Sequence, residues 1–190
     1  MSTTFDAVPA AGIDLSGSYT FDTAHSRFGF QARHAMVTTV RGHFEDFTGT
    51  VTLDEANPTS SSVDITIQVK SITTSQADRD NHLRSSDFFD PETYPTITFR
   101  STTIERVEGE DYKVTGDLTI KGVAKPVTLD LTFTGAAKDN YGNARAGFEG
   151  SAVVNRKEWN LVWNVALETG GVLVSDKVKL DFDISLIKNA

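Results

Sequence analysis

The sequence predicts an all-β domain of about eight one-sided strands, paired antiparallel and either closed into a barrel or stacked as a sandwich. Three observations carry this expectation. The dominant pattern along the chain is alternation of apolar and polar residues with period two, the signature of a half-buried strand. Each such segment has one dry and one wet face, which favours antiparallel pairing, because parallel strands are usually covered on both sides. The chain has 190 residues, 38% hydrophobic and 23% charged. That length suits one domain, which buries roughly 70% of its extended-state surface without staples, and the charge content is too ordinary for disorder. Closure removes exposed strand edges, which makes the barrel attractive.

Taken in chain order, residues 1–15 are small and polar and include Pro9. They read as a flexible arm ahead of a domain spanning 16–190. Short alternating patterns give strands at Tyr19–Asp22 and Arg27–Gln31, and a short helical turn is expected near Ala32–Met36. Alternation resumes over Phe47–Leu53. At Val63–Lys70 it is clear: Val63, Ile65, Ile67 and Val69 interleave with Asp64, Thr66, Gln68 and Lys70. Ser75-Gln-Ala-Asp78 fits a capping box with an acid in the first turn, so a helix over Ser75–Arg84 follows. Strands at Thr96–Ser101 and Tyr112–Ile120 come next, with turns at Gly109-Glu110-Asp111 and Lys121-Gly122. Val127, Leu129, Leu131 and Phe133 then alternate with Thr128, Asp130, Thr132 and Thr134. Asp139–Asn143 reads as a hairpin loop before a strand at Arg145–Val154. Val178, Leu180, Phe182, Ile184 and Leu186 form the dry face of the last strand.

Composition excludes several function classes. Eighteen Lys and Arg against 26 Asp and Glu give a net charge of −8. A net anion without a basic stripe is a poor ligand for phosphate backbones, so no nucleic-acid partner is expected. The chain has no cysteine, which removes disulfides, thiolate nucleophiles and Cys-ligated metals. The first residues lack the basic and apolar regions of a secretory signal. No apolar run approaches the roughly 18 residues that suggest a spanning helix. The expectation is a soluble, cytoplasmic protein with no stable membrane insertion, a periplasmic or extracellular site being left open. The Asn57 glycosylation match is blocked by Pro58.

Catalytic and metal signatures are weak. His25, His34, His43 and His82 lack the i, i+2 or i, i+4 spacing that places two ligands on one face. Asp22, His25 and Ser26 are sequence neighbours, which works against a serine triad on an extended segment. They read as a strand-end turn with side-chain capping. Asp181 and Asp183 share a solvated face, and Asp87 and Asp90 are explained by turn capping and by Arg79 and Arg84. No phosphate loop, dinucleotide fingerprint or His-Glu-x-x-His occurs. No catalytic residue, metal or cofactor is expected. The unusual feature is 12 Phe against 4 Tyr and 2 Trp. Many fall on dry strand faces. An eight-stranded barrel is just wide enough to be filled by such side chains or to hold one slim ligand.

Four blocks carry a family resemblance. Asp22-Thr-Ala-His25-Ser26-Arg-Phe28-Gly-Phe30 is followed by His34, and Arg41-Gly42-His43-Phe44-Glu45-Asp46-Phe47-Thr48-Gly49 continues it. A central block runs Arg79-Asp-Asn-His82-Leu83-Arg84-Ser-Ser-Asp87-Phe88-Phe89-Asp90, then Tyr94-Pro95-Thr-Ile97-Thr-Phe99-Arg-Ser101. The last is Gly116-Asp-Leu118-Thr119-Ile120-Lys121-Gly122 with Lys125-Pro126-Val127-Thr128-Leu129. Together, from about Tyr19 to Ile187, they resemble the YceI-like family. The resemblance implies an extended lipocalin-like antiparallel β-barrel with one or two short helices near its mouth. It implies binding of a long amphiphilic lipid, such as a polyisoprenoid or an isoprenoid quinone, and it does not imply an enzyme. Asn155-Arg156-Lys157-Glu158-Trp159-Asn160 departs from the family's Asn-Arg-x-Asp-Phe-Gly, where Asn160 in place of Gly restricts the backbone. Family members are often exported, and no export signal is visible here.

On that reading the dry faces supply the lumen: Phe28, Phe30, Phe44, Phe47, Ile97, Phe99, Leu118, Ile120, Leu131, Phe133, Phe148 and Trp163. His34, Arg84 and Arg156 are candidate donors to a polar head. The ligand would be carried, stored or sensed, and a homodimer is left open. Two alternatives stand: a small hydrolase or isomerase using His34 in the cavity, and an interaction module whose core is solid.

Overall fold

The computed structural model describes residues 12–190. The expected arm therefore lies largely outside the described residues. The remainder forms one antiparallel sheet that closes on itself. Its strands are β1 (Gly17–Phe21), β2 (Arg27–His34), β3 (Thr38–Phe44), β4 (Phe47–Leu53), β5 (Ser62–Gln68), β6 (Ile72–Thr73), β7 (Thr96–Glu108), β8 (Asp111–Ile120), β9 (Val123–Lys138), β10 (Ala144–Asn155) and β11 (Val174–Lys188). The order is β1-β4-β5-β7-β8-β9-β10-β11-β2-β3-β6, and β11 also pairs with β1.

Eleven segments make eight barrel staves because three staves are kinked. The first part of β11 pairs with β2 (Val174↔His34 to Asp183↔Arg27), and its end pairs with β1 (Leu186↔Phe21 to Lys188↔Tyr19). β1 and β2 are thus one stave interrupted at residues 22–26. β3 with β4, and β5 with β6, are interrupted likewise. At the first kink the Ser26 hydroxyl donates to the Ser185 carbonyl at 3.1 Å and accepts from its amide at 3.0 Å. A side chain there stands in for the lost ladder bonds, as buried backbone groups require.

The alternation read from the sequence sets which residues face inward. Phe28, Phe47, Phe99, Val114, Leu118, Leu129, Leu131 and Leu186 are all buried. Phe21, Phe28 and Phe47 meet edge to face, with Phe28 and Phe47 centroids 4.6 Å apart, the arrangement favoured by ring quadrupoles. The described residues contain no helix long and apolar enough to cross a membrane.

Three local expectations are corrected. The helix, α1, spans Ala77–Leu83, and its N-cap is Gln76, whose side chain accepts from the Arg79 amide at 2.6 Å. Ser75 instead sits at φ 61°, a left-handed geometry in which it cannot act as the extended N-cap residue. The turn expected as helical near Ala32–Met36 is the β2–β3 hairpin. Ala35 and Met36 have φ of 49° and 62°, and the Val37 amide bonds the His34 carbonyl at 3.1 Å, the pattern of a type I′ turn, here within a three-residue connection that pairs His34 with Thr38. β3 itself, Thr38–Phe44, is a strand that alternation did not single out. Its inward positions include Gly42, which gives weak hydrophobic contrast; a Cβ there would strike the Phe30 ring.

Candidate functional site

The barrel encloses a cavity of about 640 Å³, a size typical of small-molecule sites. It runs along the whole lumen. One end carries the β2–β3 hairpin, α1 and the connection from β10 to β11. There the lining is Leu83, Phe88, Phe89, Arg156, Trp159 and Leu161, each buried or half-buried. Trp159 is 1% exposed, and its indole donates to the Leu118 carbonyl at 2.9 Å. The other end carries the β4–β5 and β7–β8 connections. Its lining includes Asp54, Glu55, Pro58, Arg106 and Glu110. Glu55, Arg106 and Glu110 are the lining residues exposed to solvent. The lumen therefore opens toward that end, opposite α1, so the helix expected near the mouth stands instead at the other end.

Between the ends the wall is hydrocarbon. Of the residues read from the sequence as lining, Phe28, Phe30, Phe44, Ile97, Phe99, Leu118, Ile120, Leu131, Phe133 and Phe148 border the cavity. Arg156 borders it too. A dry apolar void of this kind holds water poorly and takes apolar guests.

Four of the expected residues stand elsewhere. Phe47 is 2% exposed and packed against Phe21 and Phe28, so it fills the wall and does not border the void. Trp163 lies in the β10–β11 connection, its ring 4.5 Å from that of His82 and 5.3 Å from that of Phe88. It pins that connection to α1 and the segment after it. His34 is exposed at the end of β2, beside the hairpin tip and outside the cavity. Arg84 donates to the carbonyls of Lys70 at 3.0 Å and Ile72 at 2.7 Å, which ties α1 to the end of the sheet. Alternation placed Phe47 inward correctly but could not tell a filled inward position from a vacant one.

Arg156 is 4% exposed and donates to the carbonyls of Leu161, Ser175 and Val174. Burial pushes its guanidinium below the ordinary value, and the nearby Asp176 carboxylate works the other way. Each of its three nitrogens bonds the chain itself, so it fastens the start of the β10–β11 connection to β11. The rim residues Asp54, Glu55, Arg106 and Glu110 were not singled out from the sequence. They lie in or beside turns, and nothing in their spacing signals convergence.

The other polar cluster is a clasp. Arg145 bonds Asp22, and its Nε donates to Asp139 at 2.9 Å. His25 Nδ1 lies 2.7 Å from Asp22. Burial works to raise the Asp22 carboxyl, but hydrogen bonds from Arg145 and His25 outweigh it and leave the group below its usual range. The Arg145 hydrogen bond holds Asp139 down at about 2. The Ser26 hydroxyl is engaged with Ser185, so Asp22, His25 and Ser26 form a structural joint and not a nucleophile-activating chain. Among the described residues no group of three or more His, Asp or Glu is placed to hold a metal.

A closed eight-stave antiparallel barrel with a long, dry lumen defines a lipocalin-like protein. Comparison narrows the class. Residues 19–186 match the YceI-like domain, and the chain belongs to that family. A UPF0312 protein of Photorhabdus laumondii is 44% identical over 148 residues, 77% of each chain. The crystal structure of Burkholderia cenocepacia BcnA superposes with a TM-score of 0.73 at 30% identity, covering 87% of this chain and 98% of that one. A polyisoprenoid binding domain from Saccharophagus degradans gives a TM-score of 0.67 at 16% identity, over 90% and 98% of the two chains. At that identity the likeness is one of fold.

Proposed function

We infer that this protein binds a long, slender apolar lipid, a polyisoprenoid or an isoprenoid quinone, inside the barrel and performs no chemistry on it. The observation that supports this most is the vacant lumen, about 640 Å³ and walled by Phe, Leu, Ile and Val. At about 25 cal/mol per Å² of apolar area removed from water, a threaded prenyl tail gains many kcal/mol before ordering costs. The polyisoprenoid binding domain with the same fold adds support by analogy.

The alternatives fare less well. An enzyme built on His34 needs that imidazole in the cavity, and it is at the exposed hairpin end. A solid-cored interaction module needs a filled barrel. Binding is tested by purifying the protein, extracting it with organic solvent and analysing the extract by mass spectrometry. A co-purifying prenyl lipid is expected. A protein that emerges ligand-free and rejects every prenyl lipid offered refutes the reading.

A further inference from the structure

We propose that the open end of the barrel selects against anionic head groups, so that the lumen takes prenyl lipids with uncharged or cationic heads and excludes their phosphate esters. The inference rests on the lipid-binding reading above and adds which lipids enter. It is carried by the charges that border the cavity.

At the open end three carboxylates, Asp54, Glu55 and Glu110, line the opening with one guanidinium, Arg106. Two of the acids are held there by backbone donors. Glu55 accepts from the Leu15 amide at 3.2 Å, and Asp54 accepts from the Asn57 amide at 2.9 Å. The third lies in the β7–β8 turn, and its carbonyl accepts from the amide of the lumen residue Phe133 at 2.8 Å, which fixes the Glu110 backbone beside the hydrocarbon wall. Arg106 folds back on its own turn, Nε to the Gly109 carbonyl at 2.6 Å. The field reaches past the lining: burial raises the Tyr19 phenol, and the Asp14 and Glu55 carboxylates raise it further.

Deeper in, a phosphate finds no better site. Among the described residues the only other cation bordering the cavity is Arg156, and each of its three nitrogens already donates to a backbone carbonyl. A phosphate carried inward would lose its hydration without gaining a bidentate partner, a costly exchange. A phosphate left at the opening would face a surplus of carboxylates. A hydroxyl or quinone carbonyl head carries neither penalty, and an ammonium held at the opening would be attracted.

The test uses a matched pair of ligands. Geranylgeraniol and geranylgeranyl phosphate share one tail, and both can be titrated below micelle formation while the fluorescence of Trp159, which borders the lumen, is followed. At low salt the alcohol should bind about tenfold or more tightly than the phosphate, as expected for like charges at near-contact distances in water. Added salt should narrow the gap by screening. The triple variant Asp54→Asn, Glu55→Gln, Glu110→Gln retains the side-chain oxygens that accept from the loop amides and should close most of the gap by improving phosphate binding. Its folding is checked by its unfolding midpoint. Equal or tighter binding of the phosphate by the natural protein overturns the inference while leaving the barrel reading in place. A gap that the variant leaves unchanged does the same. A protein that admits neither ligand overturns both.

Discussion

Two phenylalanines with the same inward orientation distinguish a vacant lumen from a packed one. Phe47 is 2% exposed, meets Phe28 and Phe21 edge to face, and does not border the cavity. Phe133 is half-buried, borders the cavity and pairs with a single ring, Phe148, at 5.3 Å. Truncating Phe47 to Ala removes a fully enclosed side chain and creates a new void, for which the expected loss is about 3–5 kcal/mol. Truncating Phe133 enlarges a void that already exists. Its ring gains less on folding because one side faces no protein atoms, so the loss should be about 1–2 kcal/mol, from partial burial and one aromatic pair. Equilibrium urea unfolding of lipid-free protein measures both, provided that the slopes match the unmodified protein so that midpoints report stability. Losses equal within about 0.5 kcal/mol, or a larger loss at Phe133, would mean that the barrel is filled in solution and would refute the reasoning from the lumen, since equal costs imply equal enclosure.

Three further outcomes follow from the structure. The Asp139 carboxyl sits at about 2, below its ordinary 3.8, mainly through Arg145. The unfolded chain therefore takes up a proton at higher pH than the folded one, so this contribution is complete above about pH 4 and is lost as the pH falls toward 2; Arg145→Gln should flatten the stability profile in that window, measured by acid titration of the circular dichroism signal. Met36→Gly should raise the unfolding midpoint by roughly 1 kcal/mol equivalent, because glycine adopts the positive φ of 62° that methionine holds under strain; a lowered midpoint would show that the Met36 contact with Gly171 outweighs the strain. Gly150→Ala should destabilise by about 1–3 kcal/mol, because its Cβ would collide with the backbone carbonyl of Asp130 on the neighbouring strand; an unchanged midpoint in thermal melts would contradict that strand packing.

The staves were legible because a half-buried strand must alternate, and Val63–Lys70, Val127–Thr134 and Val178–Leu186 do so almost without exception. The same rule put ten of the aromatic and aliphatic lumen residues on the correct face. It failed at β3, where Gly42 interrupts the contrast. It also misread Ala32–Met36, where neither central residue is the Asn or Gly that usually marks a type I′ turn. The capping box failed by one residue, since Gln76 took the role given to Ser75.

Sequence alone thus determined which side of each strand is oily, because that choice is local and repeats every second residue. Tertiary structure decided which oily positions meet one another and which face empty space. Phe47 and Phe99 follow the same rule, yet one is packed into the wall against Phe28 and the other borders the cavity. It also decided where charge gathers: Asp54 and Glu55 follow β4, Arg106 and Glu110 stand at the end of β7 and in the turn after it, and the two groups converge because β5 pairs with β7. Convergence of distant loops depends on stave number, register and closure, and these arise from pairings between segments far apart in the chain.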